Sequence, residues 1–257
     1  MEPDSAAHSR PIEHRSPASH NEGTLANTIR EASSALDEMT PEQRIAWALD
    51  LFPDSTALST SFGAQSAVLL HMASKLNPNI PVIFIDTGYH FTETYQFADQ
   101  LADRLKLNLK VYQSTIGHAW QEARHGKLWE QGAEGLELYN RMNKVEPMQA
   151  ALAELGVSAW MAGLRRQQAR TRSNLPVVAI QEGRAKIHPI IDWTDRDVFA
   201  YLSAHSLPYH PLWEQGYVSI GDWHSTSRLT DGLTPEETRF NGIKRECGLH
   251  ENVDFVI

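Results

Sequence analysis

The sequence predicts an α/β protein, a three-layer α/β/α domain around a mostly parallel central sheet. Strand-like and helix-like segments alternate between residues 56 and 113. The clearest strand, "IPVIFID" (80–86), is a continuous apolar run rather than an alternating one. A run of that kind belongs to a strand covered on both faces, and parallel strands need helical crossovers of the length found here.

The elements follow in order. Residues 1–23, rich in Pro, Ser, His and charge, are expected to be a disordered tail. Leu25, Ile29, Ala32 and Leu36 then recur at helical spacing. "TPEQRIAWALDLF" starts a second helix, with Thr40 as its cap and Pro41 in the first helical position, where a missing N–H costs nothing. "TALSTS" (56–61) reads as a short buried strand and "AQSAVLLHMASKL" (64–76) as a helix; after "IPVIFID" come the amphipathic helix "TETYQFADQLADRLKL" (92–107) and the strand "NLKVYQ" (108–113). This spacing gives right-handed βαβ units. Residues 118–156 are helical and aromatic-rich; "SAWMAGL" (158–164) and "AKIHPII" (185–191) restore strands, and "TDRDVFAYLSAH" (194–205) is a capped helix. Beyond about residue 206 the pattern breaks into aromatic and Pro-rich loops, and no internal repeat is visible. The expected organisation is the tail 1–23, an α/β domain over 24–225 and a C-terminal tail over 226–257.

Composition removes several function classes. A formal charge of −9 argues against general nucleic-acid binding, although a local cluster of cations still suits a small anion. One cysteine in 257 residues allows neither an internal disulfide nor a four-cysteine metal site. None of the twelve histidines has H-x-x-x-H or H-E-x-x-H spacing, so no metal site is expected. No apolar stretch approaches the ~20 residues that span a bilayer, and the N-terminus has no apolar segment of the signal-peptide kind. A cytoplasmic protein without membrane contact is the expectation.

In an open parallel sheet, ligands bind beyond the carboxyl ends of the strands. That rule selects three stretches. In "STSFGAQS" a strand ends, Gly63 permits a tight turn and a helix begins, so the backbone amides and the hydroxyls of Ser61 and Ser66 are placed to cradle a phosphate. The same pattern also describes a plain strand–turn–helix junction. In "DTGYHF", Asp86 and Thr87 are candidates for a ribose or base edge and Gly88 for close approach, or the stretch is a capping loop. "GLRRQQARTR", Gly163 to Arg172, holds four arginines in eight residues, a phosphate- or sulfate-binding cluster or a solvated charged face.

The single cysteine, Cys247, lies in "IKRECGLH", a polar tail rather than an apolar run. Lys244, Arg245 and His250 are cations near it in sequence, and nearby cations favour the thiolate that acts as nucleophile. Arg239 extends the cationic group. The competing reading is an incidental cysteine.

Taken together, "STSFGAQSAVLLH", "PVIFIDTGYHFTETY", "NKVEPM", "AGLRRQQARTRSNLP", "PIIDWTDRDVFAYL", "LPYHPLW" and "RECGLH" resemble, in order and from about residue 56 to 250, the phosphoadenosine phosphosulfate (PAPS) reductases, relatives of the adenylyl-sulfate (APS) reductases. The resemblance implies the adenine nucleotide alpha hydrolase-like fold with a modified pyrophosphate loop, whose usual form is S-G-G-x-D-S; Phe62 and Gln65 depart from it. The APS-reducing branch carries a cysteine pair before K-[IV]-E-P and a later C-x-x-C, four thiolates that hold an iron–sulfur cluster. Aligned on "KVEP", those positions hold Tyr139, Asn140, Asp222 and Ser225 here. The resemblance therefore implies the cluster-free, PAPS-preferring branch, with no cofactor and with electrons from thioredoxin or glutaredoxin. It implies Cys247 as the nucleophile, and a homodimer. The site it implies comprises Ser61, Phe62, Gly63 and Ser66 in the loop; Asp86, Thr87 and Gly88 lining the pocket; and Lys144, Gly163, Arg165, Arg166 and Arg172 around phosphate and sulfate. Arg239, Lys244, Arg245 and His250 would stand near the thiol. The alternatives are APS reduction without a cluster, an ATP pyrophosphatase or ligase of the same superfamily, and a nucleotide-binding redox sensor.

Overall fold

The structure, a computed structural model, describes residues 17–230, 234, 237–239 and 249. Six strands form one sheet: β1 (Thr56–Thr60), β2 (Pro81–Ile85), β3 (Asn108–Tyr112), β4 (Ala159–Ala162), β5 (Val178–Gln181) and β6 (Arg184–Ile187). Their order across the sheet is β3-β2-β1-β4-β6-β5. All neighbours are parallel except β5, which pairs antiparallel with β6 at one edge.

Period-two alternation divides the sheet's side chains between two cores. Leu58, Val82, Phe84, Ala159 and Met161 join one cluster, while Ala57, Ile83, Ile85 and Trp160 join the other. The first face is covered by α3 (Ala67–Leu76), α4 (Thr92–Leu105) and α8 (Asp195–Ala204), with α2 (Pro41–Leu51) packed on α3. The second is covered by α7 (Glu146–Glu154), whose Met148, Ala151 and Leu152 lie against β2 and β3. Three layers result, as the apolar run in β2 predicts.

Several boundaries differ from the sequence reading. The first helix, α1, runs Pro17–Glu38, so residues 17–23, expected in the tail, are helical. The expected disorder of residues 1–16 lies outside the described residues. β5 was not anticipated. It folds back on β6 through Glu182 and Gly183, both at positive φ (51° and 72°), the two-residue turn that suits a hairpin. α3 begins at Ala67 rather than Ala64, because residues 64–66 form a turn in which the Ser66 N–H donates to the Gly63 carbonyl. β6 ends at Ile187, since Pro189 has no N–H to continue a ladder. The tail expected from residue 226 is not wholly separate: Thr226 pairs with Arg239, and Leu249 packs on the second core.

The helical stretch 118–156 contains α5 (His118–His125), α6 (Gly132–Asn140) and α7. Between α6 and α7 the chain widens into a π-helical turn, Arg141–Val145, in which the Glu146 N–H reaches the Arg141 carbonyl. Pro147 accounts for it. With no N–H of its own, and with its ring crowding the carbonyl four residues back, it disfavours an ordinary α-turn there. This turn holds Lys144.

Two buried polar residues fasten the outer segments. Arg44, 1% exposed, spends its donors on the Leu36, Asp37 and Pro189 carbonyls and on both oxygens of Asp192 (2.8 and 2.7 Å). His210, fully buried, accepts the Leu212 N–H at Nδ1 (3.1 Å). Its other nitrogen, Nε2, therefore carries the proton and donates to Thr94 Oγ1 (3.0 Å). Burial lowers its pKa to about 4, with Glu93 opposing, and a second proton at Nδ1 would face the Leu212 N–H.

Because this folded pKa lies below the ordinary 6.5, the unfolded chain binds more protons between the two values. The stabilisation is therefore complete above pH 6.5 and falls towards pH 4, at about 1.4 kcal/mol per pH unit for this residue. Urea titrations at pH 7.5, 6 and 5 should show that loss, and His210→Gln should make the slope shallower by about 1.4 kcal/mol per pH unit. An equally steep acid limb in the variant contradicts the assignment.

Candidate active site

A cavity of about 420 Å³ opens at the carboxyl ends of β1, β2 and β4, within the range of small-molecule sites. The loop after β1 forms one wall. Phe62 adopts φ +47°, a left-handed conformation costly for an aromatic residue. Its ring is fully buried and meets Phe84 edge-on at 5.1 Å, which holds the turn in place. Phe62 thus faces the core, and its expected place as a ligand contact is corrected to a backbone role. Ser61, Gly63 and Ser66 line the cavity. The backbone amides of Gly63, Ala64 and Gln65 donate to no group among the described residues, and Ser66 Oγ is buried there without a hydrogen-bond partner. Unpaired donors beside the start of α3 form an anion cradle.

The loop after β2 divides its duties. Thr87 lines the cavity, but Asp86 and Gly88 do not. The Asp86 carboxylate accepts the Gly88 N–H (2.9 Å) and the Tyr95 hydroxyl (2.7 Å), so it shapes the turn. Gly88, at φ +74°, lies where a Cβ would stand 2.6 Å from His118 Nδ1; glycine is needed to seat α5, not to admit a ligand.

After β4, Gly163, Arg165 and Arg172 line the cavity and Arg166 does not. Arg166 donates to the Leu175 carbonyl (2.9 Å) and is corrected to a loop support. Arg165, 4% exposed, donates to Gln65 Oε1 (2.6 Å) and Asp195 Oδ1 (2.7 Å). Its charge is thus offset by a carboxylate, and it joins two walls as much as it offers charge. Arg172 donates to Gln168 Oε1 (2.8 Å). Arg239 also lines the cavity; its guanidinium fills the space a Cβ at Gly221 would take. Lys244, Arg245, Cys247 and His250 lie outside the described residues.

Lys144 reaches the floor from the π-turn. Its Nζ stands 2.6 Å from Asp222 Oδ2, and both residues are buried. Thr87 Oγ1 donates to the other Asp222 oxygen (2.6 Å), and His90 Nδ1 lies 3.8 Å from it. Burial opposes the charge on Asp222, yet the Lys144 ammonium and His90, with the hydrogen bond from Thr87, hold its carboxyl well below the usual range. Asp222 was missed as a site residue. The sequence marked it only as a position where a thiolate was absent, and its partners come from segments far apart along the chain.

Beside this pair lies an aromatic cluster. Trp129 stacks on His224 at 4.2 Å, while Tyr89 and Tyr139 meet His224 edge-on at 5.4 and 4.8 Å. Burial, ahead of the charges of Lys144 and Arg239, lowers the His224 pKa to about 4; Asp222 and Glu122 oppose it. Burial and the Asp222 charge raise the Tyr139 phenol well above its ordinary range. Tyr139 and Asn140, on one helix, thus approach the segment of Asp222 and Ser225, and all four are buried. Phenol, amide, carboxylate and hydroxyl do not fit an iron–sulfur cluster, which takes thiolates. No group of three or more His, Cys, Asp or Glu able to hold a metal occurs among the described residues.

Lys144, Arg165, Arg172 and Arg239 outnumber Asp195 and Asp222 in the cavity wall, a positive balance inside a chain of net charge −9. Fold and site together define an α/β protein with an anion-receptive cavity at the carboxyl edge of a parallel sheet. A family model described as "Phosphoadenosine phosphosulfate reductase domain" matches residues 55–228. The chain belongs to this family, one of oxidoreductases. It is 62% identical to the phosphoadenosine 5′-phosphosulfate reductase of Shewanella oneidensis over 215 residues, 84% of this chain and 88% of that protein. It is 58% identical to the protein of that name from Alkalilimnicola ehrlichii, over 90% of this chain and 93% of the other. Among solved structures, phosphoadenylyl-sulfate (PAPS) reductase from Candida auris, a phosphate complex, aligns with TM-score 0.65 and 34% identity over 86% of this chain and all of that one. FMN adenylyltransferase from Candida glabrata aligns with TM-score 0.56 at 15% identity, a likeness of fold alone.

The Lys144–Asp222 contact invites a double-mutant cycle with Lys144→Met and Asp222→Leu. Each single change strands a buried charge and should cost about 3–5 kcal/mol in urea unfolding, whereas the double variant should cost much less than the sum. Additive losses would show that the two charges do not depend on one another.

Proposed function

We propose that this protein reduces 3′-phosphoadenylyl sulfate to sulfite in assimilatory sulfate reduction. The observation that carries the reading is the positively balanced cavity at the strand ends, with unpaired loop donors on one wall and Leu249, two residues after Cys247, on another. The nucleotide carries more than one anionic group, which suits a cradle of amides beside separate cationic positions. Family membership and the named relatives support the substrate class.

The Cys247 thiolate attacks the sulfur of the sulfonate, forming an S–S bond. The sulfur–oxygen bond to the nucleotide breaks, and adenosine 3′,5′-bisphosphate leaves with the electron pair. The enzyme then holds a cysteine S-sulfonate. A thiolate of reduced thioredoxin, or glutaredoxin, attacks the Cys247 sulfur and expels sulfite; its second thiol releases Cys247 and closes a disulfide. Two electrons pass from the dithiol to sulfur, so no resident cofactor is needed. The cations of the wall offset charge on sulfonate and phosphate, and Lys144, fixed by Asp222, stands at the floor.

The same reading makes the enzyme cytoplasmic, where reduced thiol carriers are kept, and a homodimer. No helix among the described residues is long and apolar enough to cross a membrane. Preference for PAPS over APS goes with the four non-thiol residues Tyr139, Asn140, Asp222 and Ser225 at the cluster positions.

Cys247→Ser tests the mechanism. Sulfite release with thioredoxin should fall by roughly 10³-fold or more, while binding of adenosine 3′,5′-bisphosphate, measured by calorimetry, stays within about twofold. Sulfite release near the native rate would sink the covalent route.

A further inference from the structure

A buried ammonium on the second face of the sheet takes no part in the steps above. Lys186, in β6, is fully buried and registers beside Trp160 of β4, so that its Nζ lies 4.1 Å from the indole ring centre. A buried ammonium is tolerated only where acceptors surround it. Lys186 Nζ donates to Gln181 Oε1 and to the main-chain carbonyl of Leu249 (2.7 Å). Gln181, 7% exposed, adds a second donor to that carbonyl through Nε2 (3.3 Å). Two buried side chains, brought together by the β5–β6 hairpin, thus converge on one backbone oxygen of the C-terminal segment.

Leu249 itself packs on the core formed by Ile85, Met148 and Trp160, and it lines the cavity. Cys247 precedes it by two residues, a length of chain that spans at most about 7 Å. We propose that Lys186 and Gln181 form an anchor that grips the Leu249 carbonyl and thereby positions the Cys247 thiol at the cavity. The anchor reads backbone rather than side chain. This inference rests on Cys247 being the nucleophile. It assigns Lys186 and Gln181 to positioning, since neither lines the cavity.

The sole cysteine makes the test specific, because any thiol reagent reports on Cys247 alone. The full-length protein would be alkylated with iodoacetamide, and the plateau rate of the ionised thiol compared between native enzyme, Lys186→Met and Gln181→Leu. Both variants should raise that rate by about fivefold or more, since the segment is no longer held. Both should also lower kcat by about tenfold, with the nucleotide KM unchanged within about twofold, because a displaced thiol misses the sulfonate without weakening its binding. Gln181→Leu removes the second donor from an edge strand and leaves the ammonium of Lys186 in place, so it decides the matter if Lys186→Met fails to fold. Native alkylation rates and native kcat in the variants overturn the anchor. Sulfite turnover by Cys247→Ser would instead overturn the reading beneath it, and the alkylation rates would still decide whether the segment is anchored.

Discussion

The buried ion pair between Lys144 and Asp222 is the constraint around which the site is arranged. It joins a π-helical turn, the loop after β2 and the segment near residue 222, three parts of the chain with no local reason to meet. A charge buried without its partner costs several kcal/mol, so neither residue tolerates loss of the other. Thr87 and His90 complete the contacts of the carboxylate. Through His90, which pairs with Asp222 along the backbone, the loop after β2 is held against the far end of the domain.

Close to this pair Tyr139, Asn140, Asp222 and Ser225 bring together a phenol, an amide, a carboxylate and a hydroxyl, packed among Tyr89, Trp129 and His224. The aromatic rings fill volume beside the pair, while the carboxylate supplies the charge that Lys144 needs. Burial strengthens the contact between them.

Much of the fold was legible because its signals are local. A continuous apolar run marks β2, helical spacing marks α4, Thr40 caps α2 ahead of Pro41, and the capped helix expected over 194–205 forms as α8 with Thr194 as its cap. β5 escaped because "VVAIQEGRAKI" carries its strand signal over only four residues before the turn, and its edge position demands little. In the site, the strand-end rule located the cavity, and Ser61, Gly63, Ser66, Thr87, Lys144 and Gly163 fell on its wall. Phe62, Asp86, Gly88 and Arg166 did not, for one shared reason: sequence shows which loop meets the ligand but not which way each side chain of that loop turns. Asp222, Gln181 and Lys186 were invisible for a different reason. Each owes its role to partners brought near by the sheet, and a lone polar residue in a short strand or loop carries no signal of that pairing.

The central claim is that Cys247 accepts the sulfonate from PAPS and that selectivity resides in a site without a cluster. The most direct measurement is the intact mass of the reduced protein after incubation with PAPS or with APS, in the absence of thioredoxin. The account predicts a gain of one SO₃ on Cys247 from PAPS and none from APS. No gain from either nucleotide would contradict the covalent mechanism, and equal gain from both would contradict the assignment to the PAPS-preferring branch.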